Sequence, residues 1–249
     1  MIGPASSRPL LVFMTAAALL FCIVVAGAQG SAVAPSVSWD AAFPDRSGNT
    51  PLHFVAHYLD GHGASHRLEE WRVGQAHLRR KTDDRIDLHA DAAARTLPGQ
   101  PPDYLWQILD LQKRIAHRVS TAGMLHVGML YSYYSMAHVL TRPAGRFTVT
   151  PAIKPLPAPA IAHVDPLVML PHLPPCTWWQ IDAPGQPATR VCWVARYGVP
   201  SETWALAPDG WHLSFFVENL LTRPLPASTF VTDTTRFQVR SVDELESDD

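Results

Sequence analysis

The chain has 249 residues, of which 47% are hydrophobic and 17% charged, with 20 Lys+Arg against 22 Asp+Glu and a formal charge of −2. That balance is globular and excludes a disordered polyelectrolyte. With neither sign dominant it argues against nucleic-acid binding. In chain order, Arg8 precedes an unbroken apolar stretch, 10–26, that ends in Ala26-Gly27-Ala28, the order of a secretory signal. Cleavage before Gln29 is expected, since the alternative site Ala32-Val33-Ala34 would leave Pro35 just after the cut. A retained anchor is the competing reading, and the bulky Phe21 argues against a lipid-modified Cys22. Export implies a periplasmic or secreted protein, possible membrane association included, and leaves 19 basic against 22 acidic residues.

Residues 29–50 are rich in Ala, Ser, Pro and Gly without a period and read as a linker. A single domain is expected over 51–240. Short alternating runs at 52–59, 64–73, 76–82 and 85–91, broken at Asp60-Gly61-His62-Gly63, Gly74-Gln75 and Asp83-Asp84, predict an antiparallel meander. Beyond the Pro-rich loop 92–102, two more strands fall at 104–111 and 114–119.

No charged residue lies between Arg118 and Arg142, and Ser120 or Thr121 could cap a helix that Pro143 and Gly145 end. A helix apolar nearly all round must be covered by protein or lipid. His126, His138, Ser132 and Ser135 dilute it below an ordinary membrane span, which favours packing on a sheet. Residues 151–175 hold eight prolines and predict a long extended loop. Strands return at 176–181, 190–197, 202–207 and 211–218, with a short run near Phe237, before an acidic, solvated tail, 241–249.

Without Cys22, the mature chain keeps Cys176 and Cys192, flanking a hairpin centred on Pro184; an oxidising compartment would join them in a structural disulfide. The sequence contains no G-x-S-x-G, H-E-x-x-H, phosphate-binding glycine loop or C-x-x-C-H, so only an unfamiliar catalytic site stays open. Of the 12 histidines, four lie at 53, 57, 62 and 66. If Gly61-His62 centre the first hairpin, His57 faces His66 and Glu70 faces His53. Such a pair could share zinc or copper, although a solvated histidine pair needs no metal. Arg67, Arg72, Arg79, Arg80, Lys81 and Arg85, with Lys113, Arg114 and Arg118, are interleaved with carboxylates, as on a solvated face. Trp106, Met124, Leu125, Met129, Tyr133, Met136, Trp178, Trp193 and Phe215 are the candidates to line an apolar interior or an adaptable acyl pocket.

The meander over 53–91, the strand 104–111, the apolar helix 120–140 and the closing Phe215-Phe216-Val217-Glu218-Asn219 together resemble the LolA/RseB/LppX-like exported proteins. Cys192-Trp193-Val194-Ala195-Arg196-Tyr197-Gly198-Val199-Pro200 and Pro226-Ala227-Ser228-Thr229-Phe230 look like uncharacterised relatives of that group. The resemblance is one of organisation over about residues 52–235, and no functional residue carries over. It implies an α+β, mainly β fold, a curved antiparallel half-barrel enclosing a central apolar helix. It further implies a periplasmic binder of lipid or lipoprotein with no cofactor; loop 151–175 departs from the group by being longer than a carrier needs, and with the helix 120–140 it is expected to gate entry. An envelope sensor that binds a partner protein through the basic strand faces is the first alternative, and a metal protein or enzyme built on the histidine group the second.

Overall fold

The computed structural model describes residues 35–92, 103–121, 123, 132–157 and 174–240. Six strands come first: β1 (Pro51–Leu59), β2 (Ser65–Val73), β3 (His77–Thr82), β4 (Ile86–Ala92), β5 (Tyr104–Asp110) and β6 (Ile115–Ser120). Each pairs antiparallel with the next, as the turn residues predict. Asp83 and Asp84, at φ 51° and 53°, turn β3 into β4. Short polar side chains tolerate this left-handed conformation, whose twist suits a hairpin.

Strands β7 (Thr148–Pro151), β8 (Thr177–Asp182), β9 (Thr189–Val194), β10 (Val199–Ala207) and β11 (Gly210–Leu221) form a second antiparallel run. β11 pairs antiparallel with β1, with a bulge at Val55/Ala56, so both runs make one sheet. A last strand, β12 (Gln238–Arg240), lies parallel to β6. The sheet thus has 12 strands in the order β12-β6-β5-β4-β3-β2-β1-β11-β10-β9-β8-β7. It is mixed where an all-antiparallel one was expected, and it is open, with β12 and β7 at its edges.

Two short helices lie on one face, α1 (Trp39–Ala42) and α2 (Tyr133–His138). Ser38 caps α1 by accepting from Ala41 N (3.3 Å), and Ser132 caps α2 by accepting from Ser135 N (3.0 Å). Strand alternation sends Leu52, Phe54, Leu68, Leu78, Leu88, Trp106 and Val119 to this helix-bearing face, where they are buried. α2 adds Ala137, Tyr133 and Met136 to the β3–β6 core, while Trp39 and Phe43 pack with Val149, Ile181, Val191 and Trp193.

The opposite face is crossed by the C-terminal segment 222–240, which includes a 3-10 turn, Ala227–Phe230, and ends as β12. Arg79 Nη1 donates to Thr229 O (2.8 Å) and His89 Nε2 meets Thr232 Oγ1 (2.9 Å). Leu109 and Ala116 alternate to this face and are buried all the same. The segment therefore acts as a strap.

Several expectations change here. Part of the stretch read as a linker over 29–50 is packed structure: Ser38 starts a helix whose Trp39 and Ala42, with Phe43 behind them, are buried. The helix expected over 119–141 is described only at its ends. Ser120 Oγ accepts from Gly123 N (3.1 Å), a capping contact of the kind expected, yet Ser120 still belongs to β6 and α2 has six residues. Met124, Leu125 and Met129 lie outside the described residues, as do 1–34, 158–173 and 241–249. An enclosed central helix is therefore not part of the described fold. No described helix is long and apolar enough to cross a membrane.

Cys176 and Cys192 form a disulfide with Cα atoms 5.3 Å apart. The hairpin is centred on Gly185, one residue later than expected, because Trp178 faces Cys192 and Ile181 faces Thr189. Cys176 sits just before β8 and reaches Cys192 diagonally.

Candidate functional site

The helix-bearing face carries a polar island within its apolar lining. It begins with Glu70 on β2 and Arg80 directly opposite on β3, both sent inward by the same register that buries Leu68 and Leu78. Arg80 Nε donates to Glu70 Oε2 (3.3 Å), and Arg80 Nη1 lies 3.5 Å from Met136 Sδ of α2. Glu70 is fully buried. Among the described residues its Oε1 and the Nη2 of Arg80 have no hydrogen-bond partner, a costly state for buried polar atoms. Burial pushes the Glu70 carboxyl up to about 7, against the pull of Arg80 and Arg72.

Arg72, one inward position further along β2, ties three elements together. Its guanidinium donates to Ala137 O at the end of α2, and its Nη2 donates to Tyr197 O in the β9–β10 turn (2.5 Å). His138 lies beside it and donates from Nδ1 to Gly198 O, with Nε2 3.6 Å from Asp45 Oδ2. Burial first and the Arg72 charge second lower His138 to about 4, so the ring is neutral near pH 7. Gly198 is required at this approach: its φ is +60°, and a Cβ there would stand 2.7 Å from Asp45 Oδ1 and 3.0 Å from His138 Cε1.

Five of the nine residues expected to line the interior meet on this face. Trp106, Trp193 and Phe215 are buried, and Tyr133 and Met136 pack from α2. Tyr133 stacks on Tyr104 at 4.2 Å and donates to Gly74 O (2.9 Å), while Trp106 Nε1 donates to Thr121 Oγ1 (3.2 Å). Trp178 does not join them. Trp179 packs with the α1 cluster, so the pleat sends its neighbour Trp178 to the opposite face, beside Cys192. The sequence reading named Glu70, Arg72, Arg80 and His138 without bringing them together, because Arg72 and Arg80 looked like part of a solvated basic face and Glu70 was set opposite His53. The signal was their even numbering, shared with Leu68 and Leu78 on the same two strands.

The histidine hairpin has a register one residue away from the expected one. Tyr58 faces His66 and His57 faces Arg67, so His57 and His66 are on opposite faces of the sheet and cannot share an ion. Glu70 faces Phe54, and the partner of His53 is Glu69, with Nε2 to Oε1 2.9 Å. His57 pairs with Glu218 (2.7 Å), and His66 with Asp60 and Asp83. Among the described residues no group of three His, Cys, Asp or Glu could hold a metal ion.

A second buried cluster lies under the strap. Arg79 holds Asp87 with Nε to Oδ1 at 3.0 Å and Nη2 to Oδ2 at 2.6 Å, and its guanidinium sits 5.5 Å from the Trp71 ring centre. Thr232, His89 and Asp87 have the residue types of a nucleophile relay but not its geometry. Asp87 Oδ1 (3.1 Å) and Thr232 Oγ1 (2.9 Å) both approach His89 Nε2, whereas a relay needs one partner on each ring nitrogen. With Arg72, Arg79 and Arg80 all engaged within the fold, three of the basic residues assigned to a solvated docking face do not form one.

No known family model matches the chain, and no characterised protein matches it at a significant level.

Proposed function

We infer that this is an exported protein that holds an acyl chain, of a lipid or a lipoprotein, against the helix-bearing face of a half-barrel sheet. The supporting observation is the make-up of that face. Its lining runs from Val119 and Trp106 to Phe215 and is apolar apart from the island in which, among the described residues, Glu70 Oε1 and Arg80 Nη2 lie without partners. A chain laid on such a face is stabilised by about 0.8 kcal/mol per buried methylene. A hydroxyl or amide near its head, donating to Glu70 Oε1 and accepting from Arg80 Nη2, would complete the two orphaned groups.

Met136 of α2, beside Arg80, is the side chain best suited to yield to varied ligands, because its thioether adapts to irregular space. Export accords with the Cys176–Cys192 disulfide, which belongs to an oxidising compartment, and with the signal-like order of residues 1–28.

Native mass spectrometry of the protein purified from its own envelope tests the reading. The expected spectrum shows a non-covalent adduct of lipid mass, and the stripped protein takes up a fluorescent fatty acid. A bare mass together with no uptake would refute it.

A further inference from the structure

Away from the helix-bearing island, a groove of about 880 Å³ opens at the β7 end of the sheet. Its floor is aromatic, with Trp39 of α1 and Phe147 meeting edge to face at 5.7 Å. Two arginines from the turn before β7, Arg142 and Arg146, form one rim. Arg142 is held 5.4 Å from the Phe147 ring centre, and neither guanidinium has a carboxylate partner among the described residues. This sets the pair apart from Arg72, Arg79 and Arg80. The charge on the facing wall is Asp182, already engaged by Gln180 Nε2 at 3.1 Å.

We propose that this groove docks the protein on a membrane surface by taking the phosphate headgroup of an anionic phospholipid between Arg142 and Arg146. Guanidinium forks match phosphate oxygens bidentately, and a basic pair gains most where it meets a negatively charged leaflet. The aromatic floor suits the glycerol and upper chain of an amphiphile better than a free ion. A protein segment is disfavoured as occupant because Val37 N already bonds to Val149 O (2.9 Å), covering part of the open edge of β7. With a formal charge of −2 the whole chain is not drawn to an anionic surface, so the attraction must be local. The groove shares Trp39 of α1 with the helix-bearing face but lies at its β7 edge, and neither proposal requires the other.

The test is co-sedimentation of the full protein with vesicles of phosphatidylcholine alone or mixed with phosphatidylglycerol. Binding is expected to the mixed vesicles only, and Arg142→Glu with Arg146→Glu should weaken it by about tenfold or more. An equal change of charge elsewhere, Arg85→Glu with Arg118→Glu, should leave binding intact. Melting curves of both variants confirm folding, and Arg142→Gln with Arg146→Gln replaces the reversal if it does not fold. The proposal is overturned if the Arg142/Arg146 variant binds like wild type, if neutral vesicles bind equally, or if the control pair weakens binding as much. Release from the vesicles by inorganic phosphate at matched concentration would also overturn it, by showing a soluble-anion site.

Discussion

Glu70 and His138 are neighbours in one buried network and should tilt stability in opposite directions with pH. Burial raises Glu70 from 4.5 to about 7, so between those values the native state keeps a proton that the unfolded chain has lost. Stability therefore falls as pH rises through that window, by on the order of 3 kcal/mol. His138 is lowered from 6.5 to about 4, so the unfolded chain takes up the proton first and stability falls as pH drops through that range. The two arms offset each other between pH 4.5 and 6.5, so wild-type denaturant midpoints should be nearly level there, whereas in Glu70→Gln only the His138 arm remains and the midpoint should rise with pH over that range, whatever the absolute stability of the variant. A wild-type-like slope in that variant would assign the pH dependence elsewhere. The sequence shows that Glu70 and Arg80 exist, but only the register shows that they share a buried face, and register is where the reading slipped. One residue of error at the first turn exchanged the partners of His53, His57 and His66, because pleat alternation turns such a slip into a change of face.

Among the elements, the strands of the meander were legible because each is bounded by strong turn residues. The four-residue β7, closed by Pro151, and α1, in a stretch dominated by small residues, gave no comparable signal, although Ser38 followed by Trp39 and Phe43 one turn apart is the pattern of a capped helix. Of the strap only its end was legible, as the short run near Phe237 that becomes β12; the rest was not, because its contacts join Thr229 and Thr232 to residues on β3 and β4, and no local periodicity reports pairing at that distance. Its role can be measured. Ending the chain after Pro226 removes β12 and uncovers Asp87, Leu109 and Ala116, so amide exchange in β5 and β6 should quicken at least about tenfold while β8 and β9 stay protected. Uniform acceleration would mean that the strap is needed for the whole fold. Arg79→Ala is the matching point change: it leaves Asp87 buried without its main cation and should cost about 3–5 kcal/mol in chemical denaturation.

At the scale of the whole molecule, the sheet is two runs of strands that, among the described residues, are hydrogen-bonded to each other only through the β1–β11 ladder, and a second connection crosses the helix-bearing face. Arg72 on β2 reaches Ala137 O on α2 and Tyr197 O in the β9–β10 turn, while Trp193 Nε1 donates to Pro44 O (2.9 Å) and Tyr134 to Phe43 O (3.2 Å). These bonds span the two runs, so wild type should unfold in one transition whose calorimetric and van't Hoff enthalpies agree. Arg72→Met keeps the apolar stem and removes the donors, leaving both carbonyls unpaired inside the protein. Each orphaned carbonyl costs about 1–3 kcal/mol, and the loss falls on the junction instead of on either run alone. The variant should therefore melt lower and with a van't Hoff enthalpy below the calorimetric one, as the two runs begin to open separately. A variant that melts lower with the two enthalpies still equal would place the cooperativity in the β1–β11 ladder alone.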